Sequence, residues 1–404
     1  MIGSNWAGTH TYRARRLHRP ASLEELREIV ARAPRVRVLG SRHSFTDIGD
    51  SDELVSLEGL PADVVVEGGS VSFTAGLRYG ELAEALQGEA LALHNLASLP
   101  HISVAGAVAT ATHGSGDANG NLATAVTEIE LVTSEGELVR AARGDPDFDG
   151  VVVGLGALGA VTRIVLDAEP AYEVSQRVFE GLAWDTLFDH FDAITGCGYS
   201  VSVFTRWGVA ADQVWVKSRR DPPEEFFGAR PATVERHPIL GLDPVNCTAQ
   251  LGVPGPWYDR LPHFRMGFTP SAGDELQSEY HVARERAVGA IEAMRGLGPV
   301  MQPVLQVCEI RTIAADGLWM SPQYERDTVA LHFTWEREPA AVRRVLEQLE
   351  AALERFEPRP HWGKLFLRAP SYPRAVDFAR LAERLDPRGA FRNEWTERFL
   401  DSPA

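Results

Sequence analysis

The sequence predicts an α+β protein of two domains, and three observations carry that reading. The chain has 404 residues, more than one hydrophobic core usually serves. Residues 1–95 alternate short β-like runs with amphipathic stretches, punctuated by Gly and Pro rather than spaced for long βαβ crossovers. After residue 170 the texture changes to period-two strands and two strongly amphipathic helices, as expected of a sheet with helices packed against it.

"SLEELREIVARA", residues 22–33, places apolar residues at helical spacing behind a serine cap and predicts a helix. "RVRVLG" then alternates as a strand and breaks into Gly40-Ser41-Arg42, with His43 next in the turn. An imidazole in a tight turn after a buried strand can be structural, a metal ligand or a nucleophile toward something held there. "LVSLEGL", "DVVVEGG" and "SVSFTAG" read as short strands, and "RYGELAEALQGEAL" as a second helix. Residues 94–126 are crowded with Ala, Gly, Ser and Thr, poor in charge, and carry His94, His101 and His113. Small residues let backbone amides approach a ligand or pack a helix tightly.

Gly154-x-Gly156-x-x-Gly159 formally matches a dinucleotide fingerprint, but "AVTRIVLDAEP" after it is β-branched and ends at Pro170. The fingerprint needs a helix there, so these glycines are read as opening a strand. "YEVSQRVF", "YSVSVFTRW" and "QVWVKSRR" are strand-like, and 229–272 is a Pro/Gly-rich loop region. "ARERAVGAIEAMRGL" and "EPAAVRRVLEQLEAALERF" are amphipathic helices. The tail "DFARLAERLDPRGAFRNEW" reads as a helix ended by a Pro/Gly turn.

Lys+Arg number 40 and Asp+Glu 56, a balance of −16 that argues against a nucleic-acid partner and leaves a small-molecule substrate as the better fit. Cys197, Cys247 and Cys308 are scattered and form no CxxC, so neither a disulfide framework nor a metal centre is expected. The first 20 residues lack an apolar signal core and no run reaches the length of a membrane span, so the expected location is cytoplasmic, and the sequon at Asn246 is read as chance.

Three further segments alternate with polar groups inside apolar surroundings. "LQVCEIRT" puts Leu305, Val307, Glu309 and Arg311 on one face; "VALHFTW" sets His332 and Thr334 opposite Val329, Leu331, Phe333 and Trp335. "HWGKLFL" points Trp362, Lys364 and Phe366 to one side. Such a set is either a salt-bridge network or a surface that binds and deprotonates a polyhydroxylated molecule. A partly desolvated lysine has a lowered pKa and can serve as a base.

The chain resembles the vanillyl-alcohol oxidase type of FAD-dependent oxidoreductase, and within it the alditol (xylitol) oxidases. The likeness spans nearly the whole chain: "NWAG", "VLGSRHSF", "ASLPHISVAGAVATATHGSG", "VNCT", "GVPGPWYDRLPHFR", "ELQSEY", "CEIRT", "HFTW", "RPHWGK" and "LDPRGAFRN". It implies an FAD-binding domain over 1–172, completed by 368–404, and a substrate-binding cap over 173–367 built on an antiparallel sheet flanked by helices. It implies that His43 bonds covalently to FAD, with Val38, Leu39, Gly40, Ser41, Arg42 and Ser44 wrapping the cofactor. Arg42 stands where these oxidases usually have glycine, and His94 where they have proline.

By the same likeness Ala97 sits at the oxygen-accessible edge of the flavin, and Ser98 touches both flavin and substrate. Ser103, Gly106, Thr110, His113 and Gly114 hold the ribityl-pyrophosphate chain, Val161 lies near the adenine and His361 near the isoalloxazine. Glu309, Arg311, His332, Thr334 and Lys364 bind substrate. Lys364 or His332 takes the hydroxyl proton, Arg311 steadies the alkoxide, hydride passes to flavin N5, and dioxygen leaves as hydrogen peroxide. The implied partners are a polyol and O2, with no membrane and a monomeric chain. The alternatives are an aldonolactone oxidase or dehydrogenase of the same fold, or a binding protein without turnover. A hydrolase built on "THGSG" lacks the nucleophile-elbow context around Ser115.

Overall fold

A computed structural model describes residues 2–267 and 275–400; the end of the predicted 229–272 loop and the last four residues lie outside them. Near the N-terminus, Arg16–His18 and Val36–Val38 flank Glu53–Val55 in a parallel three-stranded sheet. The helix Leu23–Arg32 lies between the first two strands in sequence, with the Ser22 hydroxyl accepting from the Glu25 amide at 3.2 Å. Of "LVSLEGL", Leu54 and Val55 end a strand, while Leu57–Gly59 is a 3-10 turn capped by Ser56. A second, antiparallel sheet runs Val64–Glu67, Ser70–Thr74, Ala160–Asp167, Val126–Val132, Leu138–Ala142. Gly159 leads directly into its central strand, and the only helix of the 94–126 stretch with α geometry is the short Val104–Ala109.

Arg37 belongs to the first sheet yet is fully buried, and its guanidinium donates to the carbonyls of Ile48, Leu155, Gly156 and Phe391. One side chain thus ties the strand before His43 to the glycine loop and to the C-terminal segment. Burial pulls its pKa down to about 10, so it remains charged at neutral pH.

The remaining large sheet has nine strands drawn from residues 173–360, all antiparallel. Its centre runs Glu173–Ala183, Ala210–Ser218, Ser200–Thr205, Leu305–Ile313, Thr328–Glu336, Glu275–Ala283. Val329, Leu331, Phe333 and Trp335 are fully buried in the main core, which also takes Ile291 from the helix Ala287–Gly296 and Val345 and Leu349 from Pro339–Leu353. Burial of four such side chains stabilises the sheet–helix layer by roughly 6–12 kcal/mol before chain entropy is subtracted. The opposite face carries the polar groups.

Two expectations are corrected. A bulge between Leu305 and Val307 pairs Leu305 with Trp335 but Val307 with Thr334, so Leu305 joins the apolar face and leaves Val307, Glu309 and Arg311 on the other. "HWGKLFL" is not a strand: the regular ladder ends at Arg359–Pro360, the Lys364 amide turns back to the His361 carbonyl at 3.0 Å, and the His361 and Leu365 amides still reach the neighbouring strand, at Glu279 and Gln277. The two-residue alternation therefore fails. Trp362 and Phe366 pack against Trp395, whereas Lys364 reaches the sheet's polar face.

Candidate active site

Strand register assembles the site. Across neighbouring strands Glu309 pairs with His332, His332 with Glu279, and Thr334 with Gln277, so these side chains share one face. Glu309 also pairs with Phe204, and Arg311 with Ser202, extending the same face toward Trp215 and Lys217. This polar face closes one end of a cavity of about 530 Å³, within the range of small-molecule and cofactor sites.

The opposite end is the His43 turn. Val38 to Ser44 form one wall; Ala97, Ser98, Ser103, Gly106 and Thr110 form another. The Ser103 amide donates to Ser41 Oγ at 2.8 Å, and a Cβ on Gly40 or Gly106 would stand 2.5 or 2.7 Å from Ser103 Oγ. The walls approach each other by backbone, as a cradle for an extended ligand requires. Arg42 adopts φ +63°, the left-handed region that glycine occupies freely, so the turn keeps a glycine-like backbone at a cost of about 1–2 kcal/mol. Its guanidinium donates to the Ile2 carbonyl at 2.8 Å and lies over the Tyr12 ring. The His43 ring stacks on Trp6 with centroids 5.3 Å apart, and its Nδ1 is 3.1 Å from Ser41 Oγ. Burial pushes its pKa down to about 4, so the ring is neutral and its nitrogen lone pair available at neutral pH.

Between the two ends lies a buried ion network. Glu279, wholly inaccessible, is 2.5 Å from Lys364 Nζ, 3.0 Å from Arg311 Nη2 and 3.1 Å from His113 Nε2. Burial opposes its charged form, but Lys364, His113 and Arg311 outweigh that and hold it well below the usual carboxylate range. Glu309 behaves alike: burial is overcome by Arg311 and His263. Lys364 is drawn down by burial while Glu279 supports its charge. His332 is lowered to about 4 by burial and then by the Lys364 charge. His113, Glu279 and His281 offer ligand atoms within 4.8 Å of one another, yet two cations already neutralise Glu279, which reads as an ion-pair network rather than a metal cage.

Of the residues named from sequence, His361 lines the cavity with its Nε2 3.3 Å from Thr112 Oγ1, and Ser98 Oγ is 3.4 Å from Arg311 Nη1. His113 and Thr334 line it too. Gly114 does not: it packs against Asn95 and Leu96, where a Cβ would be 2.5 Å from either oxygen. Val161 lines a separate small cavity beside the Val104–Ala109 helix, which shares Ala109 and Gly156 with the lining of the main one. His94 is outside, near the Gly120 carbonyl at 3.4 Å. Glu279, Gln277, His263, Lys217 and Arg37 were not singled out from sequence. The alternation of Gln277, Glu279 and His281 against Leu276, Tyr280 and Val282 would have exposed the first two.

Comparison with known proteins places this architecture. A family profile described as "FAD binding domain" matches residues 14–142, and one described as "D-arabinono-1,4-lactone oxidase" matches 275–399. Cholesterol oxidase from Brevibacterium sterolicum shares the fold with a TM-score of 0.76 at 14% identity, over 98% of this chain and 96% of that one. Fold and cavity therefore define an FAD-binding oxidoreductase of the vanillyl-alcohol oxidase type. An alditol oxidase of Streptomyces sp. strain IKD472 is 50% identical, with 98% of this chain and 99% of the relative covered. An L-gulono-1,4-lactone dehydrogenase of Mycobacterium tuberculosis H37Rv is 29% identical over 99% of both chains. The chain belongs to the alditol oxidase family.

Proposed function

We propose that this oxidoreductase oxidises the terminal hydroxyl of alditols such as xylitol and sorbitol to the aldose, with FAD held covalently by His43 and O2 as acceptor. The reading is carried by one observation: Glu309, Arg311, His332 and Lys364 converge on the cavity that the His43 turn closes. The small-residue walls and the neutral imidazole suit an extended dinucleotide. When bound, FAD supplies acceptance of the alcohol's two electrons and their delivery to dioxygen, yielding hydrogen peroxide.

His332 is the general base in this scheme. Gln277 spends its amide N–H on Glu275 Oε1 at 2.6 Å, so its Oε1 faces His332 Nε2 at 3.2 Å and accepts from it. Nε2 therefore carries the proton and Nδ1 is bare, 3.6 Å from Glu309 Oε2. A hydroxyl proton taken at Nδ1 produces an imidazolium that this carboxylate stabilises. Lys364, paired with Glu279, stays an ammonium and with Arg311 stabilises the alkoxide. Glu309 accepts from the polyol's other hydroxyls, and such a site rejects analogues lacking them.

Acid precipitation tests the cofactor linkage. Yellow colour is expected to stay with the precipitated chain and to be lost from it in His43→Ala; colour in the wild-type supernatant refutes covalent attachment. Xylitol is expected to bleach the flavin anaerobically, and bleaching by a sugar lactone alone would move the substrate class to lactones. For the base, His332→Ala is expected to slow flavin reduction by about 10²–10⁴-fold. In the wild type, kcat/KM should fall as pH drops through about 4, because protonated His332 cannot accept a proton. A His332→Ala rate near wild type would return the role to Lys364.

A further inference from the structure

The chain contains 40 lysine and arginine residues, and only Lys217 and Lys364 are lysines. Lys364 lines the cavity, and Lys217 stands behind it on His263. Lys364 has a role in the scheme above; Lys217, on the Ala210–Ser218 strand, has none there, although it is only 1% exposed. No carboxylate lies within ion-pair distance of it among the described residues. Burial draws its pKa down to about 7, and as an ammonium it presents three N–H groups to three acceptors: the carbonyl of Leu261, the carbonyl of Pro262 at 2.9 Å and His263 Nδ1 at 3.2 Å. A compact ammonium matches three converging acceptors; the planar fork of arginine does not.

His263 passes the arrangement on. Its Nε2 lies 2.8 Å from Glu309 Oε1, and a carboxylate only accepts, so Nε2 carries the proton. The ring is neutral, since burial and then the Lys217 charge push its pKa down to about 4. Nδ1 is therefore a bare lone pair, and Lys217 supplies its donor. Without Lys217, the ring could move its proton to Nδ1, donate to a nearby carbonyl, and turn a lone pair toward Glu309. Glu309 Oε1 is thus occupied by His263, with Arg311 Nε at 3.5 Å, while Oε2 has His332 Nδ1 as its nearest ion-pair partner at 3.6 Å and stays open to the cavity.

We propose that Lys217 and His263 form a relay that fixes the Glu309 carboxylate for the hydroxyls of a bound polyol, making both of them positioning residues for substrate specificity. The inference rests on the polyol reading above. It concerns recognition of hydroxyls distant from the reacting carbon, so its signature is in KM and in selectivity rather than in saturating turnover.

The test uses the FAD-loaded protein with xylitol and with 1,2-pentanediol, which keeps the reacting end but lacks the distal hydroxyls. Lys217→Met is expected to raise the xylitol KM by about tenfold or more, with a smaller fall in turnover and a markedly smaller effect on the diol. In a His263→Gln background, where glutamine donates its own N–H to Glu309, Lys217→Met should add less than about twofold. A Lys217→Met protein with wild-type melting temperature and flavin absorbance but unchanged xylitol KM overturns the relay, as does an equal loss on both substrates. Should Lys217→Met fail to fold, His263→Leu and His263→Gln decide: about a tenfold gap in xylitol KM supports the relay, and equal values overturn it. A wild-type protein that oxidises no polyol would instead refute the substrate class itself.

Discussion

Replacing Glu279 with glutamine is expected to destabilise the protein by about 3–5 kcal/mol and to slow flavin reduction by at least about 10²-fold. The side chain is 0% exposed and is shared by Lys364, Arg311 and His113. Glutamine preserves the volume, so no cavity term enters; what is lost is the negative charge. Two cations would then stand in a water-excluded site with Glu309 as the carboxylate near them, 3.5 Å from Arg311 Nε. Burial already draws the Lys364 pKa down, and Glu279 is the largest influence that opposes it. The variant therefore removes the main support of the ammonium and weakens a charge aimed at the alkoxide. Denaturant unfolding and stopped-flow flavin bleaching read the two effects separately. Stability within about 1 kcal/mol of wild type, together with an unchanged rate, would remove Glu279 from both roles.

That Glu279 escaped the sequence reading while Glu309 did not has a physical explanation. Glu309, Arg311, His332 and Thr334 lie on strands whose alternation is plain, and the period-two rule puts Glu309 with Arg311 and His332 with Thr334. Glu279 lies on an equally regular strand, but its importance comes from which strand is its neighbour. Register across 279–332 and 309–332 is set by long-range pairing, which no local period encodes. Lys364 was identified for its aromatic flanks, yet it reaches the site from a turn rather than a strand. The His361 amide still donates to the Glu279 carbonyl at 3.0 Å, but the chain then turns, with the Gly363 amide on His361 Nδ1 at 3.0 Å, before the Leu365 amide meets the Gln277 carbonyl at 2.9 Å. The His43 turn was legible because strand, small residues and histidine are contiguous. Arg37 was not, since an arginine alternating with valine reads as solvent-facing until the carbonyls it satisfies, as distant as Phe391, are brought to it. The Lys217 signal is present in composition: a chain that uses arginine almost everywhere keeps only two lysines, one of them, Lys217, fully buried.

The same burial makes the fold acid-sensitive well above the carboxylate range. Burial holds His263 and His332 down to about 4, and lowers His94, His113, His237, His281 and His361 as well. In the unfolded chain these rings titrate near 6.5. Between those values the unfolded state binds protons that the native state refuses, so stability is fully present above about pH 6.5 and is lost as pH falls toward 4. Each ring kept neutral contributes about 1.4 kcal/mol per pH unit in that window. Three carboxyls work the other way: Asp316, pushed up to about 6 chiefly by burial, takes a proton in the native state and offsets about one histidine, and burial raises Asp212 and Asp386 as well. Glu279 and Glu309, both depressed, add their own loss only below the ordinary carboxylate range. The net expectation is a slope of at least about 2 kcal/mol per pH unit near pH 5, read as a falling urea midpoint between pH 6.5 and 4.5. Proton uptake on unfolding at pH 5, measured by comparing calorimetric heats in buffers of different ionisation enthalpy, should be about 1.4 protons or more on the same argument, the slope divided by about 1.4 kcal/mol. A flat midpoint across that range would mean these histidines are charged in the native state. His332 could not then be the bare-nitrogen base, nor His263 the neutral link between Lys217 and Glu309, so stability and chemistry stand on the same protonation states.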